Sequence, residues 1–210
     1  MSDRTLMPLP ADARLIDLLH LGRPHVIGTY LLLGDQPALI DPGPASTLDT
    51  IEAGLAMHGL ALADIQTILL THIHLDHAGA TGTLLRRYPH IRVYVHMRGA
   101  PHLVAPEKLI HSATRLYGDA MQRLWGPIRP VPEQAINVLS GGETLRIGGR
   151  ALYVYEARGH ANHHVIYFDK RALPGFNIDI AQLRRRPISI LKPGSARSTC
   201  CARSTLACCC

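Results

Sequence analysis

The segment Thr71-His72-Ile73-His74-Leu75-Asp76-His77-Ala78-Gly79 places three imidazoles and one carboxylate within six residues. Neutral imidazole and carboxylate are donors that borderline divalent ions such as zinc accept. His72 and His74 stand two residues apart, so an extended or turning backbone lets both face one ion. Asp76 and His77 are adjacent and point apart from that pair, towards a neighbouring metal position. A histidine-rich surface loop is the alternative, and four ligand-type residues so closely spaced argue against it.

The elements around this segment must hold it rigidly. The apolar run Ile65-Gln66-Thr67-Ile68-Leu69-Leu70 leads straight into it, with a strand expected over 66–70. Upstream, short apolar runs at 14–20, 25–33 and 37–41 are separated by Gly22-Arg23-Pro24 and Gly34-Asp35-Gln36 and read as an antiparallel meander. A helix follows over 47–58, with Ser46 as N-cap and Gly59 as its stop; Leu48, Ile51, Leu55 and His58 make its inward stripe. A second helix runs from Gly79 to about Tyr88, then a strand over 92–95. Residues 99–130 interrupt the alternation, with one helix expected over 106–125 and Leu109, Ala113, Leu116, Ala120 and Leu124 on one face. That helix could wall a substrate pocket or simply pack; Tyr117 and Trp125 read as core. Strands return at 144–147, 151–156 and 165–168. Pattern alone says mixed α/β.

Two further motifs flank the histidine segment. Leu39-Ile40-Asp41-Pro42-Gly43 ends a strand on an aspartate, and Ala157-Arg158-Gly159-His160-Ala161-Asn162-His163-His164 carries a Gly-His step before the last strand. Taken in order with His72-x-His74-x-Asp76-His77, the three resemble the signature of the metallo-β-lactamase superfamily, the group that includes glyoxalase II. The resemblance covers about residues 14 to 169. It implies an α/β fold, the four-layer αββα sandwich.

The resemblance also implies a ligand set and a reaction. His72, His74 and His160 would hold a first zinc, with other divalent metals possible, and leave one position for water. Asp76 and His77 would contribute to a second metal, and Asp76 is the candidate catalytic residue that orients the nucleophile. Zinc lowers the pKa of bound water to about 7, so a metal-bound hydroxide would attack an ester-like bond such as a thioester or lactone. Asp41 is expected to support the metal loop rather than bind the ion. His163 and His164 are expected to hydrogen-bond near the site. His96, His102 and His111 read as surface residues, with His102 the best of them for a pocket contact. Two alternatives remain open: an impaired remnant that binds at most one metal, and a non-enzymatic metal-binding or regulatory protein.

The last forty residues differ in kind. All thirteen histidines lie at or before His164, and all five cysteines lie in the final eleven residues. Of 22 basic and 16 acidic residues, seven basic and one acidic fall in 171–210, so the remainder balances and the net charge of +6 belongs to the tail. The family's bridging aspartate and final histidine have no match after His164; Asp169 belongs to the strand that precedes the aspartate, and nothing around Asp179 resembles it. The expectation is a truncated domain over 1–170 whose second half is incomplete. Residues 171–210 then read as an out-of-frame translation or a divergent, disordered C-terminus. Adjacent cysteines lack the gap of a zinc knuckle and do not form a disulfide framework. Arg184-Arg185-Arg186 reads as solvated charge, so no nucleic-acid partner is expected. The N-terminus has no apolar signal core and no run spans a membrane; a cytoplasmic location and a small-molecule substrate are the expectations. No phosphate-cradling glycine loop and no serine or cysteine nucleophile competes with the metal motif. A second half short of strands would leave an open apolar edge, an aggregation hazard.

Overall fold

The computed structural model describes residues 9, 10 and 12–169. The expectations for 171–210, including Asp179, the arginine triplet and the cysteines, lie outside the described residues.

Six strands form the first sheet, in the order β1-β2-β3-β4-β5-β6. β1 (Ala13–Asp17), β2 (Gly28–Leu32) and β3 (Ala38–Ile40) are the expected antiparallel meander. Helix α1 (Leu48–Ala56) then crosses over to β4 (Thr67–Leu69), which runs parallel to β3. The short α2 (Leu75–Ala78) and α3 (Thr81–Arg87) lead to β5 (Arg92–His96), parallel to β4. After α4 (Ala100–Val104), α5 (Glu107–Tyr117) and α6 (Met121–Trp125), β6 (Ile136–Leu139) closes this sheet, parallel to β5. The second sheet is the antiparallel set β7 (Thr144–Ile147), β8 (Arg150–Glu156) and β9 (Val165–Asp169).

Side chains alternate across the first sheet, as strand geometry requires. Leu39, Ile68, Val93 and Val95 face the helices and join Ile51, Leu55, Leu84 and Leu85 in one apolar core. Ala38, Ile40 and Leu69 face the second sheet and meet Ile147, Leu152, Val154, Val165 and Tyr167 in another. The order of layers is therefore helices, sheet, sheet, the α/β arrangement expected. Three layers of the αββα sandwich lie among the described residues. The outer face of the second sheet carries Tyr153, Tyr155 and Phe168, whose rings lie 4.4 and 6.1 Å apart in sequence order.

Some local expectations need correction. The helix expected over 106–125 is broken: α5 ends at Gly118, whose φ of +52° takes it out of the right-handed helix, and a separate α6 follows. Leu116 points outward, 64 % exposed, so the five-residue face does not hold along its length. β6 and α4 have no counterpart in the sequence reading; β6 has only four residues, of which Leu139 alone is buried, so no alternation marks it. Ser46 does not cap α1, and its hydroxyl donates instead to the Leu124 carbonyl at 2.7 Å. Gly59, at φ +72°, does stop α1 as expected.

Asp169 has a structural role. It is fully buried and its Oδ2 accepts from Arg150 Nη1 at 2.6 Å, while Asp12 pairs with the same guanidinium. In the β8–β9 register Asp169 lies opposite Leu152, at the far end from Glu156 and the Gly-His loop. No helix among the described residues is long and apolar enough to cross a membrane.

Candidate metal centre

The histidine segment leaves the end of β4 and is bent by α2. His74, at φ −60° and ψ 150°, is the last extended residue before α2, which places Asp76 and His77 in a single turn. The loop after β3 clamps this turn. Gly43 N–H donates to the His77 carbonyl at 2.9 Å, and Ala80 N–H donates back to the Gly43 carbonyl at 2.8 Å. The approach requires glycine at position 79, where a Cβ would stand 3.2 Å from Pro44 Cα and 2.4 Å from the Leu75 carbonyl.

Asp41 occupies the left-handed region at φ +52°, a conformation aspartate tolerates better than most residues, at a cost of about 1–3 kcal/mol. Its carboxylate is buried and accepts three hydrogen bonds: from Thr71 N–H at 2.8 Å, Thr71 Oγ1–H at 2.5 Å and His77 Nδ1–H at 2.7 Å. Because the Thr71 hydroxyl donates to Asp41, it accepts from His72 Nδ1–H at 2.9 Å. One carboxylate thus sets the orientation of two imidazoles, directly for His77 and through Thr71 for His72. This is the supporting part expected of Asp41.

The donor atoms of His72, His74 and His160 lie within 4.8 Å of one another. His160 Nε2 is 3.2 Å from His74 Nδ1, and the His72 ring centroid is 4.6 and 4.8 Å from those of His74 and His160. His72 Nε2 is buried and has no hydrogen-bond partner among the described residues. A buried ring nitrogen without a partner is costly unless something accepts its lone pair. Burial, then the neighbouring His77, His74, His164 and His160, hold the His72 pKa well below the usual histidine value, so its imidazole is neutral at pH 7. An imidazole trio that includes the neutral His72, with its buried orphan nitrogen, fits a zinc-like ion.

The expected second pair is less self-contained. A second group of close donors joins Asp41, His72 and His77, and so shares His72 with the first. Asp41 is committed to three hydrogen bonds there. Asp76 is buried, with Oδ2 3.4 Å from His77 Nε2, and lies in neither group.

His163 and His164 line the same space. The His164 ring is 5.1 Å from His72, and that of His163 is 5.9 Å from His74. Burial, followed by the nearby His102, pushes the His163 pKa down to about 4, so this imidazole is also neutral. His96 corrects the sequence reading: it is 1 % exposed, not a surface residue, and its Nε2 lies 3.0 Å from Glu156 Oε1. The end of a strand allows Val95 and His96 both to be enclosed, which period-two alternation does not anticipate. His102 is half-buried on α4 and His111 is exposed on α5, so neither belongs to the trio. Trp125 is core and stacks on His20 at 5.6 Å, whereas Tyr117 is half-buried. The helical insertion packs behind the metal segment: Leu103, Leu109 and Val131 line a small apolar crevice with Ile73 and Leu75.

Comparison with known proteins gives the family. The family model described as the metallo-beta-lactamase superfamily matches residues 23–172. The chain is 30 % identical over 155 residues to a hydroxyacylglutathione hydrolase of Hamiltonella defensa, covering 72 % of this chain and 47 % of that protein. It is 25 % identical over 146 residues to a metallo-beta-lactamase fold-containing protein of Sulfurisphaera tokodaii, covering 68 % and 52 %. Among solved structures, a metallo-beta-lactamase family protein of Thermus thermophilus superposes with a TM-score of 0.62 at 27 % identity, over 77 % of this chain and 56 % of that one. A metallo-beta-lactamase of Legionella gormanii shares the fold, with a TM-score of 0.58 at 18 % identity over 74 % and 54 %. The chain spans about half the length of the relatives it matches. It belongs to the metallo-beta-lactamase superfamily.

Proposed function

We propose that this protein is a metal-dependent hydrolase acting on an ester-like bond in a small molecule, with a thioester of the hydroxyacylglutathione type as the first candidate. The observation that carries the reading is the converging trio His72, His74 and His160, with the buried, neutral His72 offering an Nε2 that lacks a partner among the described residues. Similarity to hydroxyacylglutathione hydrolases supports the substrate class. Zinc bound by the trio would supply a hydroxide nucleophile near neutral pH and polarise the scissile carbonyl.

The chain's own groups provide the rest. Asp41 and Thr71 fix the tautomers of His77 and His72, so that each turns Nε2 away from its supporting hydrogen bond. Asp76, whose Oδ2 stands 3.4 Å from His77 Nε2, would orient the attacking group or help hold a second ion. His163, neutral and next to His74, offers a ring nitrogen to a substrate oxygen without adding charge.

A second reading is a one-metal protein without turnover. It is favoured by a specific observation: among the described residues the second group of close donors borrows His72 and depends on an already committed Asp41. The deciding experiment assays the full chain, zinc-loaded and chelator-treated, against a hydroxyacylglutathione thioester, a lactone and a β-lactam. Thioester hydrolysis that chelation and His72→Ala both abolish is the expected outcome. Zinc-loaded protein that turns over none of the three overturns the hydrolase reading in favour of the second.

A further inference from the structure

His160 is the exposed member of the trio; residues 158–160 are exposed, whereas Ala161, His163 and His164 after them are buried. At the loop tip, a Cβ added to Gly159 would meet nothing within 4 Å. The exposed incoming half is held through the ends of the loop and through the buried residues that follow His160. The outgoing end is stapled to the metal segment, since Val165 N–H donates to the Thr71 carbonyl at 2.8 Å. The two ends are closed on each other by Ala157 N–H donating to the His164 carbonyl at 2.9 Å. The incoming end carries a different device.

Glu156, the last residue of β8, reaches across to the first sheet. His96 Nδ1 accepts from Arg98 N–H at 3.2 Å, so the ring proton sits on Nε2 and donates to Glu156 Oε1 at 3.0 Å. The same carboxylate is bound by Arg158 Nη2 at 2.9 and 3.1 Å. Arg158 lies within the loop, two residues before His160. A continuous path thus runs from a fully buried imidazole on β5, through Glu156, into the loop. We propose that His96 and Glu156 form a latch between the two sheets that positions His160 in the metal-binding trio, an inference that rests on the metal-centre reading above.

The latch acts through His160 and does not itself touch the ion. Groups hydrogen-bonded directly to a metal ligand typically change affinity about 10–100-fold when removed. The latch acts at a further remove, through the backbone between Glu156 and His160, and its effect is expected at or below the lower end of that range. Its chemistry suits such a positioning part. A rigid buried ring supplies the anchor, and the charged pair to Arg158 supplies directionality at the rim.

The test measures zinc affinity of the full chain by competition with a chromophoric chelator, together with the visible absorption of the cobalt-substituted form. Wild type is expected to bind cobalt with a defined visible spectrum. Glu156→Ala is expected to weaken zinc up to about tenfold and to alter the cobalt bands. Glu156→Gln keeps the acceptor for His96 and is expected to recover most of the affinity. Glu156→Asp keeps the charge but withdraws the carboxylate by one methylene, giving an intermediate loss without relying on tolerance of alanine. A merely structural role would lower thermal stability while leaving affinity and cobalt spectrum of the folded chain unchanged. Wild-type binding with unchanged affinity and spectrum in both Glu156→Ala and Glu156→Asp overturns the latch alone. Absence of binding by wild type overturns the metal centre and the latch with it.

Discussion

The two segments that bring the trio together are built in opposite ways. The 71–79 segment is buried almost throughout, clamped by Gly43 and braced by one carboxylate that receives three hydrogen bonds. The 157–164 loop presents His160 to solvent and is held at its ends, by Glu156 on one side and by the Val165–Thr71 bond on the other. One segment contributes preformed ligands on a rigid scaffold; the other closes over them. A metal site assembled from such halves should bind through the first and be adjusted through the second.

The largest effect should come from the rigid half. His72→Ala removes the one ligand common to both groups of donors, and zinc affinity should fall by more than about a hundredfold, beyond the loss typical of supporting residues. Chelator competition on the purified chain measures it. If His160→Ala costs as much as His72→Ala, the contrast between the halves is wrong.

Asp41→Ala should come next. It leaves Thr71 N–H, Thr71 Oγ1–H and His77 Nδ1–H without their acceptor, and unsatisfied buried donors together should cost about 3–5 kcal/mol. Denaturant unfolding of the metal-free chain gives the figure. A loss under about 1 kcal/mol would mean that Asp41 does not organise the segment.

Acid sharpens the comparison further. The His163 pKa lies near 4 in the folded chain, below the ordinary value of 6.5. Between those values the unfolded chain takes up a proton that the folded chain does not, so stability falls as pH drops from about 6.5 to 4 and then levels off. For this residue alone the loss is about 3 kcal/mol, and His72, shifted in the same direction, adds to it. Stability of the metal-free chain against pH checks the sign, and His163→Asn should flatten the slope. The smallest effect belongs to Tyr167→Phe, which deletes the bond from the phenol to the Leu70 carbonyl at 2.8 Å and should cost about 1 kcal/mol. That change loosens the floor beneath both halves without touching a ligand.

The sequence revealed the rigid half more fully than the closing half. Close spacing within one segment makes ligand types visible, so His72, His74, Asp76 and His77 stand out without any tertiary information. The support of Asp41 was also legible, through the resemblance of its strand-ending Asp-Pro-Gly to the family's motif. The latch was not, since His96 and Glu156 are sixty residues apart and meet only because the two sheets pack together near the site. Gly118 broke a helix whose apolar spacing ran on past it, and β6 lacked the alternation that marks a half-buried strand. These misses share a cause: tertiary packing decided them, and periodicity carries no record of it.

The central claim is that His72, His74 and His160 act together as one metal site. Its most direct test is zinc stoichiometry and affinity of the full chain beside the variants His72→Ala, His74→Ala and His160→Ala. The expected result is at least one zinc per wild-type chain, with loss of tight binding in all three variants and the smallest loss at His160. Wild type that binds no zinc, or a trio variant that binds as tightly as wild type, would contradict it.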